Sequence, residues 1–333
     1  MSAPRVERAL DDLRRRWVPD RRLGAFDVEI ATEGLAGCVS SRDALEALRR
    51  LAADLGVRET VRLLPDDSVG TDNAAVVTAA IAPLLGQPTL RAPRASECLH
   101  GEALAVLERR GDWLRVRAGD GYHGWLHAGY VGVGPGDWAE DWITRATARS
   151  VGVEIVFAEG RLRLPVGARV ALGPRGGVET ADGRHGGIAE GEVRPDAELR
   201  AAARHLSPPE LGLRWFSGAP YLWGGRTEWG IDCSGFAQAV YAARGVTLLR
   251  DSDQQVSQGR EVAIATGGAG YESGDLLFFA EEGKVSHVAL WVGAGRVAHS
   301  ALSRGGVAVD DLSGPTPLAK RLRDQLVAVR RLI

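Results

Sequence analysis

At 333 residues the chain exceeds one ordinary domain and predicts about two to four. Hydrophobic residues make up 45% and charged residues 25%, a composition that builds real cores, while a formal net charge of −2 argues against nucleic acid or an anionic membrane as partner. No apolar run approaches a membrane span, and the segment from Met1 to Arg8 lacks the apolar core of a secretory signal, so the expected location is the cytoplasm.

Residues 1–72 read as an α/β segment. A strand is expected over Asp27-Val28-Glu29-Ile30, an amphipathic helix from Ser41 to Leu55, and a second strand over Thr60-Val61-Arg62-Leu63-Leu64, ended by Pro65. No catalytic constellation stands out here, and a structural or docking role is expected. Residues 73–195 contain an internal repeat. Asp120-Gly121-Tyr122-His123-Gly124-Trp125 is echoed 62 positions later by Asp182-Gly183-Arg184-His185-Gly186-Gly187, and Arg110-Gly111-Asp112-Trp113 has a weaker counterpart from Arg175. Short strands joined by Asp-Gly turns imply two small β-barrels, over 73–134 and 135–195. The second copy lacks the tryptophans and reads as a spacer. Residues 196–214 read as a polar helix and linker, closing at Ser207-Pro208-Pro209.

The densest signal follows. Gly218-Ala219-Pro220-Tyr221-Leu222-Trp223-Gly224-Gly225 leads to Gly230-Ile231-Asp232-Cys233-Ser234-Gly235-Phe236. Phe236, Ala239, Val240 and Ala243 give the next helix one buried face, and Gly245 suits its end. Cys233 therefore stands at a helix N-terminus, where amides and the dipole favour a thiolate. Such a nucleophile needs a base and the base an orienter. His287, in Ser286-His287-Val288-Ala289, and His299, in Ala298-His299-Ser300, each lie on a β-branched run expected to be a strand. Cysteine, histidine and a polar third residue, in that order, make a papain-like arrangement. Cys38 and Cys98 lack metal or redox spacing and read as core filler; three cysteines suit a reducing compartment.

Residues 215–333 resemble the NlpC/p60-type cell-wall cysteine peptidases. The matching pieces, in the family's order, are Pro220 to Gly225, Asp232 to Gly235, Arg250-Asp251-Ser252, Gly274 to Phe279, Ser286 to Ala289 and Ala298 to Ser300. The two preceding barrels resemble bacterial SH3-like domains. The resemblance implies an α+β papain-like catalytic domain behind two SH3-like barrels and a small N-terminal α/β segment. It implies Cys233 as nucleophile, His287 as base and His299 as orienter. The Cys233 N–H and the Tyr221 hydroxyl would be the oxyanion donors. The branch it most resembles cuts the bond between γ-D-glutamate and an L-diamino acid in murein stem peptides with a free N-terminal L-alanine. Asp232, Ser234, Asp251 and Ser252 match that branch's amine-binding positions. From the first barrel, Glu97 and Tyr122 are the best matches for a glutamate and a tyrosine that close the site, with Glu102 near enough to compete with Glu97. Trp223 and Trp229 flank the nucleophile turn and are expected to line the cleft.

No cofactor and no metal are expected, because no ligand spacing suits zinc or calcium. Two other readings stay open: an amidase or acyltransferase on the same fold, and a non-catalytic cell-wall peptide-binding protein. The preferred diamino acid, the oligomeric state and the role of residues 1–72 are not legible.

Overall fold

The computed structural model describes residues 3–173 and 176–332. Arg175, where the weaker echo of the repeat begins, and the extreme N-terminal Met1 and Ser2 lie outside the described residues. The chain forms two compact units. One comprises Met1–Val76, Leu85–Pro93 and Ala103–Glu140, the other Val77–Leu84, Arg94–Glu102 and Asp141–Ile333.

In the first unit, strands Phe26–Ala31, Gly34–Val39 and Arg58–Leu63 form one sheet with Gly34–Val39 in the middle, antiparallel to the first and parallel to the last. The parallel crossover is the helix Arg42–Leu55. The Ser41 hydroxyl accepts from the Ala44 N–H at its start, and Gly56 ends it at φ 66°. Leu45, Leu48 and Ala52 turn inward against Val39 and Val61. Two elements had no clear sequence signal: the helix Ala3–Trp17, which contributes Val6 and Leu10 to this core, and the middle strand carrying Cys38. Strands Ala103–Arg110, Trp113–Arg117 and His123–His127 form an antiparallel meander, with Ala74–Val77 beside the first.

In the second unit a seven-stranded sheet over residues 148–195 surrounds Val153, Ile155, Leu164, Val170 and Val178. The repeat read in the sequence is one turn built twice. Gly121 and Gly183 take φ 86° and 79°, and their N–H groups reach the carbonyls of Ala118 and Thr180, each three residues back. Its histidines diverge, since His123 is buried and His185 exposed.

The helix Asp196–His205 lies where the linker was expected, but Ser207-Pro208-Pro209 opens a further helix, Pro208–Phe216. The Ser207 N–H and hydroxyl both donate to Glu210, and proline fits the first turn because its missing N–H has no partner there anyway. The helical layer that packs on the Cys233 helix thus begins before residue 215. This helix packs on the helix Cys233–Ala242 through Phe216 and Phe236.

Behind these helices is a six-stranded sheet, in the order Arg260–Val262, Leu326–Arg331, Leu276–Glu281, Lys284–Gly293, Arg296–Ala301, Gly306–Asp311. Period-two alternation splits its side chains. Leu276, Phe278, Val288, Leu290 and Ala298 pack with the nucleophile helix; Leu277, Phe279, Ala289, Trp291, Val297 and Val329 pack with Leu312 and with Leu322 of the helix Pro317–Gln325. Among the described residues no helix is long and apolar enough to cross a membrane.

Candidate active site

Cys233 is the first residue of its helix, with Asp232 as N-cap. One Asp232 oxygen accepts from the Gly235 N–H at 2.7 Å and the other from the Gly224 N–H at 2.8 Å, which ties the glycine turn to the helix start. The glycines are steric necessities: a Cβ on Gly235 would lie 2.3 Å from the Gly225 carbonyl oxygen. Cys233 is only 7% exposed and packs in one core cluster with Val288, the residue after His287.

His287 and His299 stand on adjacent strands, and the structure brings them together, His287 Nε2 to His299 Nδ1 at 2.7 Å. A residue that sequence reading missed extends the line: His299 Nε2 lies 2.8 Å from Asp310 Oδ2. Asp310 is on Gly306–Asp311, which pairs with the His299 strand. Its signal in the sequence, an Asp-Asp pair closing a strand, reads as two solvated carboxylates.

The electrostatics run against the expected resting thiolate. Burial, followed by the Asp232 charge, pushes the Cys233 thiol up to about 12, and the Val288 and Ser234 amides with Arg250 oppose this only in part. His287 keeps some exposure, yet desolvation first and His299 next push it down to about 3. Both shifts favour a neutral thiol beside a neutral imidazole. The helix N-terminus contributes less here than enclosure does. Tyr221, partly buried near Cys233, rises to about 12 by burial and then by the Cys233 charge, so its hydroxyl stays a donor.

The carboxylates expected to receive an ammonium have other partners. Arg250, fully buried, spends its five donors on Ser96 Oγ at 2.9 Å, Asp232 Oδ1 at 3.0 Å, Ser234 Oγ at 2.8 Å, the Gly225 carbonyl at 3.3 Å and Asp232 Oδ2 at 2.8 Å. Asp232 and Ser234 are therefore held by a cation the protein supplies. Glu97, only 2% exposed, pairs with Arg94 and accepts from the Arg226 backbone N–H at 2.9 Å; Glu102 accepts from the Arg226 guanidinium at 3.0 Å. Burial raises the Glu97 carboxyl, with these partners opposing. Asp251 keeps partial exposure at the start of Ser252–Gln255, where Ser252 is buried. Trp223 and Trp229 are 67% and 40% exposed. Tyr122 lies in the first unit and is itself buried. Cys38, Cys98 and Cys233 are all buried and form no disulfide.

The NlpC/P60 family model matches residues 218–325, a range that includes Cys233, His287, His299 and Asp310, and a bacterial dipeptidyl-peptidase Sh3 domain model matches residues 84–129. The chain carries an NlpC/P60 domain. It is 26% identical over 250 residues to a γ-D-glutamyl-L-lysine dipeptidyl-peptidase of Bacillus cereus, covering 66% of this chain and 71% of the relative. It is 27% identical over 270 residues to dipeptidyl-peptidase 6 of Lysinibacillus sphaericus, covering 74% and 94%. A γ-D-glutamyl-L-lysine dipeptidyl-peptidase of Bacillus subtilis is 39% identical over 120 residues, 35% of this chain and 38% of that one. Among solved structures, an NlpC/P60 family protein from Bacillus cereus superposes with a TM-score of 0.61 at 19% identity, over 78% of this chain and 99% of the other, which establishes likeness of fold.

Proposed function

We propose that the protein is a cysteine endopeptidase that hydrolyses the γ-D-glutamyl-L-diamino acid bond of free stem peptides beginning with L-alanine. The observation that carries this reading is that Cys233, first in its helix, packs in one core with Val288, the residue after His287, while His287 Nε2 lies 2.7 Å from His299 Nδ1. His287 takes the thiol proton as the sulfur attacks the γ-carbonyl carbon of D-glutamate. The oxyanion is held by the Cys233 N–H, one of the helix's unpaired first-turn amides, and by the Tyr221 hydroxyl. His287 returns the proton to the leaving amine, and water, deprotonated by His287, then hydrolyses the thioester to release L-Ala-γ-D-Glu.

Asp251 and Ser252 are the groups proposed for the substrate ammonium, because Asp251 keeps partial exposure whereas Asp232 and Glu97 are buried against Arg250, Arg94 and the Arg226 backbone. The exposed Trp223 and Trp229 would flank the peptide. Small murein peptides as substrate fit a recycling role, and three cysteines without a disulfide fit a reducing cytoplasm.

Incubation with L-Ala-γ-D-Glu-L-Lys should release free lysine, detected by mass spectrometry, and Cys233→Ala should release none. N-acetylation of the peptide should lower kcat/KM by at least about a hundredfold, because Asp251 then faces a neutral amide. Turnover by Cys233→Ala would sink the cysteine mechanism. Equal rates on the free and acetylated peptides would remove the ammonium site and leave a general endopeptidase.

A further inference from the structure

Beyond the histidine pair, the line of contacts ends on a carboxylate. Asp310 Oδ2 is 2.8 Å from His299 Nε2, and its side chain is only 13% exposed. Its other oxygen meets Arg304 Nε at a looser 3.5 Å, and that arginine is 47% exposed. Asp310 is therefore turned inward to the imidazole, with the arginine a secondary partner. Register explains the reach: His299 pairs with Ala308 and Asp310 with Val297, so Asp310 sits two residues along the same face of the neighbouring strand.

An ionised carboxylate only accepts hydrogen bonds. His299 must then carry its proton on Nε2. A neutral His299 has its lone pair on Nδ1, where it accepts from His287 Nε2–H at 2.7 Å. His287 is left with its lone pair on Nδ1, the nitrogen remaining for the thiol proton. We propose that Asp310 is a positioning residue for the reaction, setting the proton on His299 and through it the tautomer of His287. The proposal rests on the peptidase reading for its kinetic consequence, although the tautomers can be read without substrate. The Asp310 carboxyl is held below its ordinary range, first by the His299 hydrogen bond, against desolvation and with the Arg304 charge assisting, so it is ionised at working pH. Arg321 is the other cation acting on His287.

The experiment uses the full chain labelled with ¹⁵N-histidine and the variants Asp310→Ala, Asp310→Asn and Arg304→Gln. In the wild type, His299 and His287 should both give the signature of a neutral ring protonated at Nε2. Asp310→Ala should lose the fixed His299 signature, while the His100 and His123 signals, remote markers of intact folding, stay in place. Kinetics on L-Ala-γ-D-Glu-L-Lys should show kcat reduced roughly tenfold or more, with KM within about twofold. Asp310→Asn, nearly isosteric, should lower kcat as well if Asp310→Ala perturbs folding. Arg304→Gln should retain wild-type kcat. A kcat within about twofold of wild type in Asp310→Asn, or an unchanged His299 signature in a folded Asp310 variant, would overturn the proposal. A wild-type protein inactive on the tripeptide would refute the substrate assignment, and the histidine spectra would still decide the role of Asp310.

Discussion

At the scale of single residues, Arg250 shows how much chemistry sits one shell behind the nucleophile. Removing its guanidinium would leave Asp232 as a buried carboxylate with only amide and hydroxyl donors, and loss of one partner from a buried pair costs about 3–5 kcal/mol. Arg250→Met should therefore lose stability on that order in urea unfolding and lose turnover with it, since Asp232 caps the helix that presents Cys233. Arg250→Lys should fall between, because an ammonium keeps the charge but cannot span both Asp232 oxygens, Ser96 and Gly225 together. A wild-type unfolding midpoint in Arg250→Met would mean that the cluster is not structural. The order of Cys233, His287 and His299 was legible because each residue sits inside a short, locally patterned motif. The Asp232–Arg250 pair, eighteen residues apart, was not: a carboxylate beside the nucleophile reads as a substrate ligand until its cation is seen. Asp310 was hidden for the opposite reason, a buried role behind a surface-like dipeptide.

At the scale of elements, patterned helices and strands were legible and chain connections were not. Ser207-Pro208-Pro209 was read as the close of a polar helix and linker, but prolines at a first turn start a helix. The helix that follows has to approach the nucleophile helix closely, and Gly212 makes that possible. A Cβ there would lie 2.5 Å from Phe236 Cζ and 2.8 Å from Val240 Cγ2, both fully buried side chains. Gly212→Ala gains about 1 kcal/mol of helix propensity. Overpacking in a close-packed core costs about 1–3 kcal/mol, so the net effect should be destabilising. The displaced Phe236 lies one turn from Cys233, so kcat should fall with stability. A Gly212→Ala protein more stable than wild type would show that the helices have room to separate and that the contact does not position the nucleophile.

At the scale of the whole molecule, the composition correctly implied several cores, but no sequence pattern announced that histidines would be buried neutral in both units. In the first unit His123 is pushed down to about 4, by burial first and then by Arg115 and Arg117, with Asp27 opposing. In the second, burial lowers His100. Each has a folded pKa below the ordinary 6.5 of the unfolded chain. The unfolded state therefore binds the proton first, and their stabilising contribution is complete above that value and lost as pH falls beneath it. For His123 alone, going from pH 7 to pH 5 should cost about 1–2 kcal/mol. The two histidines should nevertheless respond differently to replacement. Among the described residues neither His123 ring nitrogen has a hydrogen-bond partner, so His123→Leu exchanges an unsatisfied buried group for an apolar one. It should be at least as stable as wild type at pH 7 and should lose less on acidification. His100 is bonded at both nitrogens, to the Thr78 carbonyl and from the Ala181 N–H, each at 3.0 Å. His100→Leu strands both partners and should be destabilised at pH 7 already, by about 1–3 kcal/mol. Urea unfolding of the wild type and both variants at pH 7 and pH 5 separates these effects. An unchanged pH slope in His123→Leu would mean that its ring is not buried neutral, and a wild-type midpoint for His100→Leu at pH 7 would mean that its two hydrogen bonds contribute nothing to the fold.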